Sequence, residues 1–561
     1  EEASKAQLPQ VRFFSVPTRG SLHPLDSTPG TWQAITPTTA ATMSAVAYFF
    51  ARDLHQKLQC PIGILISAVG GTRGESWTPA EVLQKDPEWS KELTDQQNEV
   101  RRNEDLSRTF PEKLQSWRAA NQCETASETT DWASPDRDTA DWQKVSGRFP
   151  FGKTLGLKSG GVFWLRKEFE SREVDANKPA YLWIDSIDRQ ILTLFINGKE
   201  VATLGNTAPR FFQTGLIPVT VPRGIVQTGR NVLAIRCTTF SSDTLKWFSG
   251  PNLRLPVAEP KKVSDEWLLK AETVFPVLSA EALAALPVFT NMDILHAPAG
   301  LYNAMIHPLQ PYTIQGALWY QGESNIKRAD RYQSLLTGLI GGWRSIWGQG
   351  DFPFYVVQLA NYHGAPDQPA ATDRPNVHDQ LGRLREAQML ASRTVPHSGL
   401  AVAIDIGEES IHPANKQDVA DRLARLALAK TYGRNEVAHQ SPVYDSMRRE
   451  GSTLRVLFTD CPEGLMAASK NGIEPARETP GAKLQHFAIA GADHRFVWAE
   501  TRIDGASVIV SSPAVPEPVA VRYAWCENPK GCNLYGKNGL PAAPFRSDSL
   551  PAPAAPQPLA R

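Results

Sequence analysis

The spacing of hydrophobic positions changes along the chain, and each change predicts a different architecture. In residues 1–85, Val46, Phe49, Phe50, Leu54 and Leu58 recur at helical spacing and mark one face of an amphipathic helix. The next run, Ile62-Gly-Ile-Leu-Ile-Ser67, is apolar toward both faces, as strands of parallel sheets are, and it ends at Gly70-Gly71-Thr72. Residues 86–130 are polar and charge-dense, which predicts a helical linker with loops. Across 131–258 the period falls to two, in runs such as 162–169 and 180–184 separated by turn signals such as Asn197-Gly198, which predicts an antiparallel β-sandwich. From 259 to 434 the α/β pattern returns, with apolar strands at 316–320, 354–359 and 400–404. Tyr332, Leu335, Leu336, Leu339, Ile340 and Trp343 define a helix between the first two, and a second helix covers 380–392. A last helix is expected to open at Pro413, turn Val419, Leu423 and Leu426 inward and stop at Gly433. Residues 435–561 carry short strands again, at 496–498 and 507–511, and predict a C-terminal β-domain ending in a Pro/Ala-rich tail. The fold class is therefore α/β with a parallel sheet, interrupted by an antiparallel sandwich.

Charge changes the picture by exclusion. The 59 Lys and Arg balance 59 Asp and Glu, so no field favours a polyanion and nucleic acid is not expected as a partner. No stretch reaches the roughly 18 apolar residues of a membrane span, so no membrane partner is expected either. Of six cysteines, only Cys526 and Cys532 are close enough in sequence to close a small loop, and in an exported protein they would pair. Trp183, Phe195 and Trp247 in the predicted sandwich read either as core or as sugar-stacking aromatics.

Ligands of open parallel sheets bind beyond the carboxyl ends of the strands, so the loops there hold the candidate chemistry. They are Ala68 to Thr72, Gln321-Gly-Glu-Ser-Asn325, Gln358 to Asn361 and Asp405-Ile-Gly-Glu-Glu-Ser-Ile-His412. His412 follows a strand and precedes the expected helix start; it reads as a general base or as a capping histidine. Glu409 and Asp405 are the acids able to orient it, or solvated loop carboxylates. Gly70 and Gly71 could offer backbone N–H groups to an oxyanion, and Gln321 a side-chain amide, with Glu323 and Asn325 in support. Ser324 lacks the surroundings of a nucleophile elbow.

The string Gly316 to Asn325, the upstream Leu301-Tyr-Asn-Ala-Met-Ile-His-Pro308, the G-G-T and E-S-W of 61–77 and Ile411-His412-Pro413 together resemble the sialate O-acetylesterase family of SGNH hydrolases. The resemblance implies an SGNH-type three-layer α/β/α domain, a galactose-binding-like inserted sandwich and removal of acetyl groups from sialic acids. It implies serine acyl-enzyme chemistry without metal or cofactor, in a secreted or periplasmic protein. Carried over by position, His412 is the base, Glu409 or Asp405 its acid partner, Gly70 or Gly71 with Gln321 the oxyanion hole, and Glu323 and Asn325 supports. Acetylxylan or another glycan remains an alternative substrate, and a non-catalytic glycan-binding protein an alternative class. The family's nucleophile sits in a G-Q-S-N-like block after the first strand, and no such block occurs in this sequence. Four strand-and-loop units are read where the family has five, and the first is the one absent. The expectation is that the serine lies on a segment upstream of Glu1, which could accompany this chain as a separate N-terminal fragment of the same protein.

Overall fold

The apolar runs become parallel strands in the computed structural model, which describes residues 2–125, 130–146, 154–171, 180–185, 190–205, 211–212, 216–240, 252–254, 266–290, 292–362 and 380–549. The chain divides into two units, Glu1–Ser90 with Pro298–Arg561, and Lys91–Ala297. In the first, strand β1 (Leu8–Ser15) lies between antiparallel β2 (Gln33–Ile35) and parallel β3 (Ile62–Ile66). A second sheet consists of β4 (Ala317–Trp319), β5 (Phe354–Val357) and β6 (Ser398–Ala401), parallel and in that order. Five parallel strands lie among the described residues of this unit, which corrects the count of four. The additional one is β1, whose Leu-Pro-Gln-Val-Arg-Phe-Phe-Ser buries only Val11, Phe13 and Phe14 and so lacks a continuous apolar run. It lies on the outer side of β3, and no G-Q-S-N block follows it.

The helices are α1 (Ala45–Leu58), α2 (Ala329–Trp347), α3 (Gln380–Thr394) and α4 (Lys416–Leu426). Ser44 caps α1 by accepting from Ala47 N–H, and Gln59 ends it in a left-handed conformation. Phe50 and Leu54 of α1 share a core with Val419, Leu423 and Leu426 of α4 and with Tyr355 and Val357 of β5. Ile62 and Ile64 of β3, Leu318 of β4 and the adjoining Tyr320 pack against that same core. All six apolar positions expected of α2 are buried, and Gly348 terminates it at φ 63°. One helix start differs from expectation: α4 opens at Lys416 rather than Pro413, because Asn415 supplies the cap through its Oδ1, which accepts from Asp418 N–H at 3.1 Å. His412 therefore lies outside the helix and does not cap it.

Beyond α4, antiparallel strands including Val443–Glu450, Thr453–Thr459 and Ser507–Ser511 share a core with Val402 and Ile404, just past β6. The expected Cys526–Cys532 bridge is not formed; both are buried thiols. Cys532 Sγ donates to the Ile404 carbonyl at 3.6 Å, and burial pushes its thiol up to about 12. The carbonyl of Cys526 is held by buried Arg385, whose guanidinium also donates to the carbonyls of Leu359, Ala360 and Glu527.

Helix Pro87–Ala120 spans 34 residues and carries the chain into the second unit. There a six-stranded antiparallel sheet includes Gly161–Ser171 against Gly229–Thr239, and the hairpin of Ile191–Ile196 and Lys199–Gly205 turns at Asn197 and Gly198, both at positive φ. Leu182, Val219 and Val221 of a three-stranded sheet share a core with Phe163, Leu165, Leu194 and Ile235 of the larger one. Phe195 is buried and stacked on Trp164 at 5.5 Å, which makes it a core residue rather than a sugar platform. The side chain of Trp183 and all of Trp247 lie outside the described residues. Among the described residues no helix is long and apolar enough to cross a membrane.

Candidate active site

The loops following β3, β4, β5 and β6 are tied to one another by side chains at the carboxyl ends of the strands. After β3 the chain turns at Gly71, φ +75°, and enters a buried 3-10 turn, Gly74–Trp77. After β4, Gln321 donates from Nε2 to the Thr72 carbonyl at 3.1 Å and to Asn325 Oδ1 at 2.7 Å, while its Oε1 accepts from the Tyr332 hydroxyl at 2.7 Å. Buried Asn325 accepts from Gly74 N–H at 2.9 Å and donates to Glu75 at 2.7 Å. Glu75 is only 1% exposed and is also paired with Arg328 at 2.9 Å, so its charge is neutralised where it is buried. Gln388 of α3 donates to the Gln321 carbonyl at 3.0 Å and accepts from Leu359 N–H at 3.0 Å, joining the loop after β5. Asn361 Oδ1 then accepts from Gly407 N–H at 2.9 Å, joining the loop after β6. The circuit returns through Lys416, whose Nζ lies 5.5 Å from the centroid of the Tyr320 ring. Burial lowers the Lys416 ammonium pKa, and the charges of Glu323 and Glu408 oppose that shift.

The residues singled out from sequence divide into those at the surface of this seam and those locked inside it. Gly70 and Gly71 are exposed, with nothing within 4 Å of where a Cβ would stand. Ser324 donates its hydroxyl to the Gly71 carbonyl at 2.8 Å. Gln321 is different: an amide nitrogen carries two hydrogens, and both are engaged. In this geometry it braces the loop after β3 against the loop after β4 and has no hydrogen left for an oxyanion. Asn325 lies deeper in the same brace, and Glu323 opens the short helix Glu323–Arg328.

Asp405 is also locked. Arg422 holds both its oxygens, at 2.6 and 2.7 Å, the Tyr535 hydroxyl adds a third bond at 3.0 Å, and its side chain is 1% exposed. His412 is exposed, its backbone N–H bonded to Ser410 Oγ at 3.1 Å. Neither its imidazole nor the Glu409 carboxylate has a hydrogen-bond partner among the described residues, so the structure joins His412 to neither acid. Thr72, Glu75, Arg328, Tyr332, Gln388 and Lys416 belong to the seam, and the sequence reading had given none of them an individual role in the site.

Comparison with known proteins bears on this segment directly. Residues 290–425 match the family described as "Carbohydrate esterase, sialic acid-specific acetylesterase". That span includes β4, β5, β6 and the helices between them. The rat sialate O-acetylesterase is 30% identical over 289 residues, which cover 46% of this chain and 49% of that protein. The mouse sialate O-acetylesterase is 31% identical over 274 residues, 44% of this chain and 46% of that one. The chain thus spans about half the length of the curated relatives it matches. The crystal structure of a carbohydrate acetylesterase from Xanthomonas citri superposes with a TM-score of 0.54 at 24% identity, covering 98% of this chain and 75% of that one. At that identity the likeness is one of fold.

Proposed function

We propose that the chain is the larger part of a carbohydrate O-acetylesterase that removes acetyl groups from sialic acids by serine acyl-enzyme chemistry. The observation that carries this reading is the closed seam of strand-end loops beside two exposed glycines, built largely from the segment matched to the acetylesterase family. In this reading residues 1–85 and 259–434 form an SGNH-type α/β/α domain, 131–258 a galactose-binding-like sandwich and 435–561 a β-domain, in a secreted or periplasmic protein. Gly70 or Gly71 presents its N–H group to the tetrahedral intermediate, and such a donor is worth about 3 kcal/mol of barrier. His412 takes the proton of the attacking serine, and Glu409, three residues before it, orients the imidazole. Gln321 and Asn325 hold the glycine loop in place. The serine is supplied from a segment upstream of Glu1.

The test is acetate release from defined O-acetylated sialic acids. His412→Ala should lower kcat/KM by about 10²- to 10⁴-fold with the melting temperature unchanged; full activity would remove His412 from the reaction. Acetylated xylan in the same assay separates the other glycan substrates. The absence of a G-Q-S-N block in the 561 residues favours a second reading, a glycan-binding protein without catalysis. Labelling the native preparation with a fluorophosphonate decides between them, because only the enzyme presents an activated serine.

A further inference from the structure

We propose that Arg73 holds the carboxylate of the substrate and so selects an acidic sugar over a neutral one. The proposal deepens the functional reading above and rests on it for the place of the ester, beside the N–H group of Gly70 or Gly71. Arg73 follows Gly71 by two residues, so the two Cα atoms stand at most about 7 Å apart.

The backbone on either side of Arg73 is anchored. Thr72 is 3% exposed; its carbonyl accepts from Gln321, and its hydroxyl donates to the Val69 carbonyl at 2.8 Å and accepts from the Trp77 indole at 2.9 Å. Gly74 is buried, its N–H donates to Asn325, and a Cβ added to it would stand 2.9 Å from Leu335 of α2. Between these neighbours Arg73 is extended, φ −87° and ψ 154°, and its carbonyl accepts from Ser76 N–H at 3.1 Å. Successive side chains of an extended stretch point to opposite sides, so a residue whose neighbours face the interior faces solvent. Arg73 is exposed accordingly.

Its charge is unmatched. Arginines on the segments around this loop are engaged: Arg328 with Glu75, Arg331 with Asp86, Arg383 with Asp330 and Arg385 with backbone carbonyls. The Arg73 guanidinium has no ion pair, hydrogen bond or ring contact among the described residues. The carboxylates of this corner are already committed, Glu75 to Arg328 and Glu323 to the field around Lys416. A guanidinium keeps its charge at any working pH and offers paired N–H donors in the plane of a carboxylate. On a braced loop it is therefore a preorganised receptor for that group. Sialic acid carries its carboxylate on one carbon and its acetyl groups on separate hydroxyls, so one substrate meets both Arg73 and the glycines. An acetylated xylose unit has no carboxylate and leaves Arg73 unused.

The test is a matched pair of substrates, an O-acetylated sialic acid and its carboxylate methyl ester, which differ in charge but not in the acetyl group. Acetate release by the native protein should favour the acid. In Arg73→Gln the ratio of kcat/KM for acid to that for ester should fall on the order of 10- to 100-fold, with the change in KM. Arg73→Lys keeps the charge without the fork and should fall between the two. Equal kcat/KM for acid and ester in the native protein, or a ratio unmoved by Arg73→Gln, overturns the proposal. Binding of unacetylated sialic acid, followed by titration calorimetry on the same proteins, separates the site from the reaction. Binding that weakens to the same extent in Arg73→Gln, without acetate release from any substrate, upholds the carboxylate site and sinks the esterase reading. Acetate release at equal rates from acid and ester leaves the esterase standing and overturns the site, and neither release nor binding overturns both.

Discussion

Asp405 and Glu409 are four residues apart, and their surroundings assign them different work. The Asp405 carboxylate is buried with Arg422 and Tyr535, a pair whose disruption leaves a charge without compensation. Asp405→Asn should therefore lower the unfolding free energy by about 3–5 kcal/mol, read from urea titration. Glu409→Gln should leave that titration unchanged and lower acetate release; a stable, fully active variant would remove Glu409 from the proposed mechanism. Sequence placed both acids near His412, but only burial distinguishes them, and burial depends on Arg422 and Tyr535, the latter 130 residues downstream of Asp405. Gln321 illustrates the same limit. Its position at a strand end was legible, whereas the engagement of both its amide hydrogens depends on Thr72, far upstream.

Elements whose own pattern determines them were read correctly. The positions of α2 face inward as its spacing predicts, because a helix with one wide apolar stripe has one way to bury it. The strand β1 was missed because polar Gln10 and Arg12 interrupt it and its place is set by pairing with β3. The start of α4 was misplaced because Pro413 and Asn415 are both good openers and only the cap geometry chooses. Gly407 ties the loop that bears His412 to its neighbour, and a Cβ there would stand 1.7 Å from the Asn361 carbonyl oxygen. Gly407→Ala must displace one of the two loops. It should cost about 1–3 kcal/mol and lower activity more than stability alone explains, measurable by thermal melts beside acetate release.

The second unit carries a carboxylate that ties its stability to pH. Glu272 accepts from Trp164 at 2.6 Å and from Arg236 at 2.8 and 2.9 Å. Burial raises its pKa, but the hydrogen bonds from Arg236 and Trp164 and the guanidinium charge outweigh this and hold it below its ordinary value. A depressed carboxylate contributes stability that is present above its unfolded pKa of about 4.5 and is lost as pH falls through the lower folded value. Residues 91–297 should thus lose stability below about pH 4.5, and Glu272→Gln should flatten that part of the profile, followed by tryptophan fluorescence. An unchanged slope in the variant would exclude Glu272 as its source.

Arg385 has a consequence in time. Two of its four carbonyl partners, those of Cys526 and Glu527, lie 141 and 142 residues later in the chain. On the ribosome the loop after β5 must wait for them, a delay on the order of ten seconds at ordinary translation speeds. The first unit is therefore fastened late, and the loop after β5 takes its final form only once residues 526 and 527 have been made.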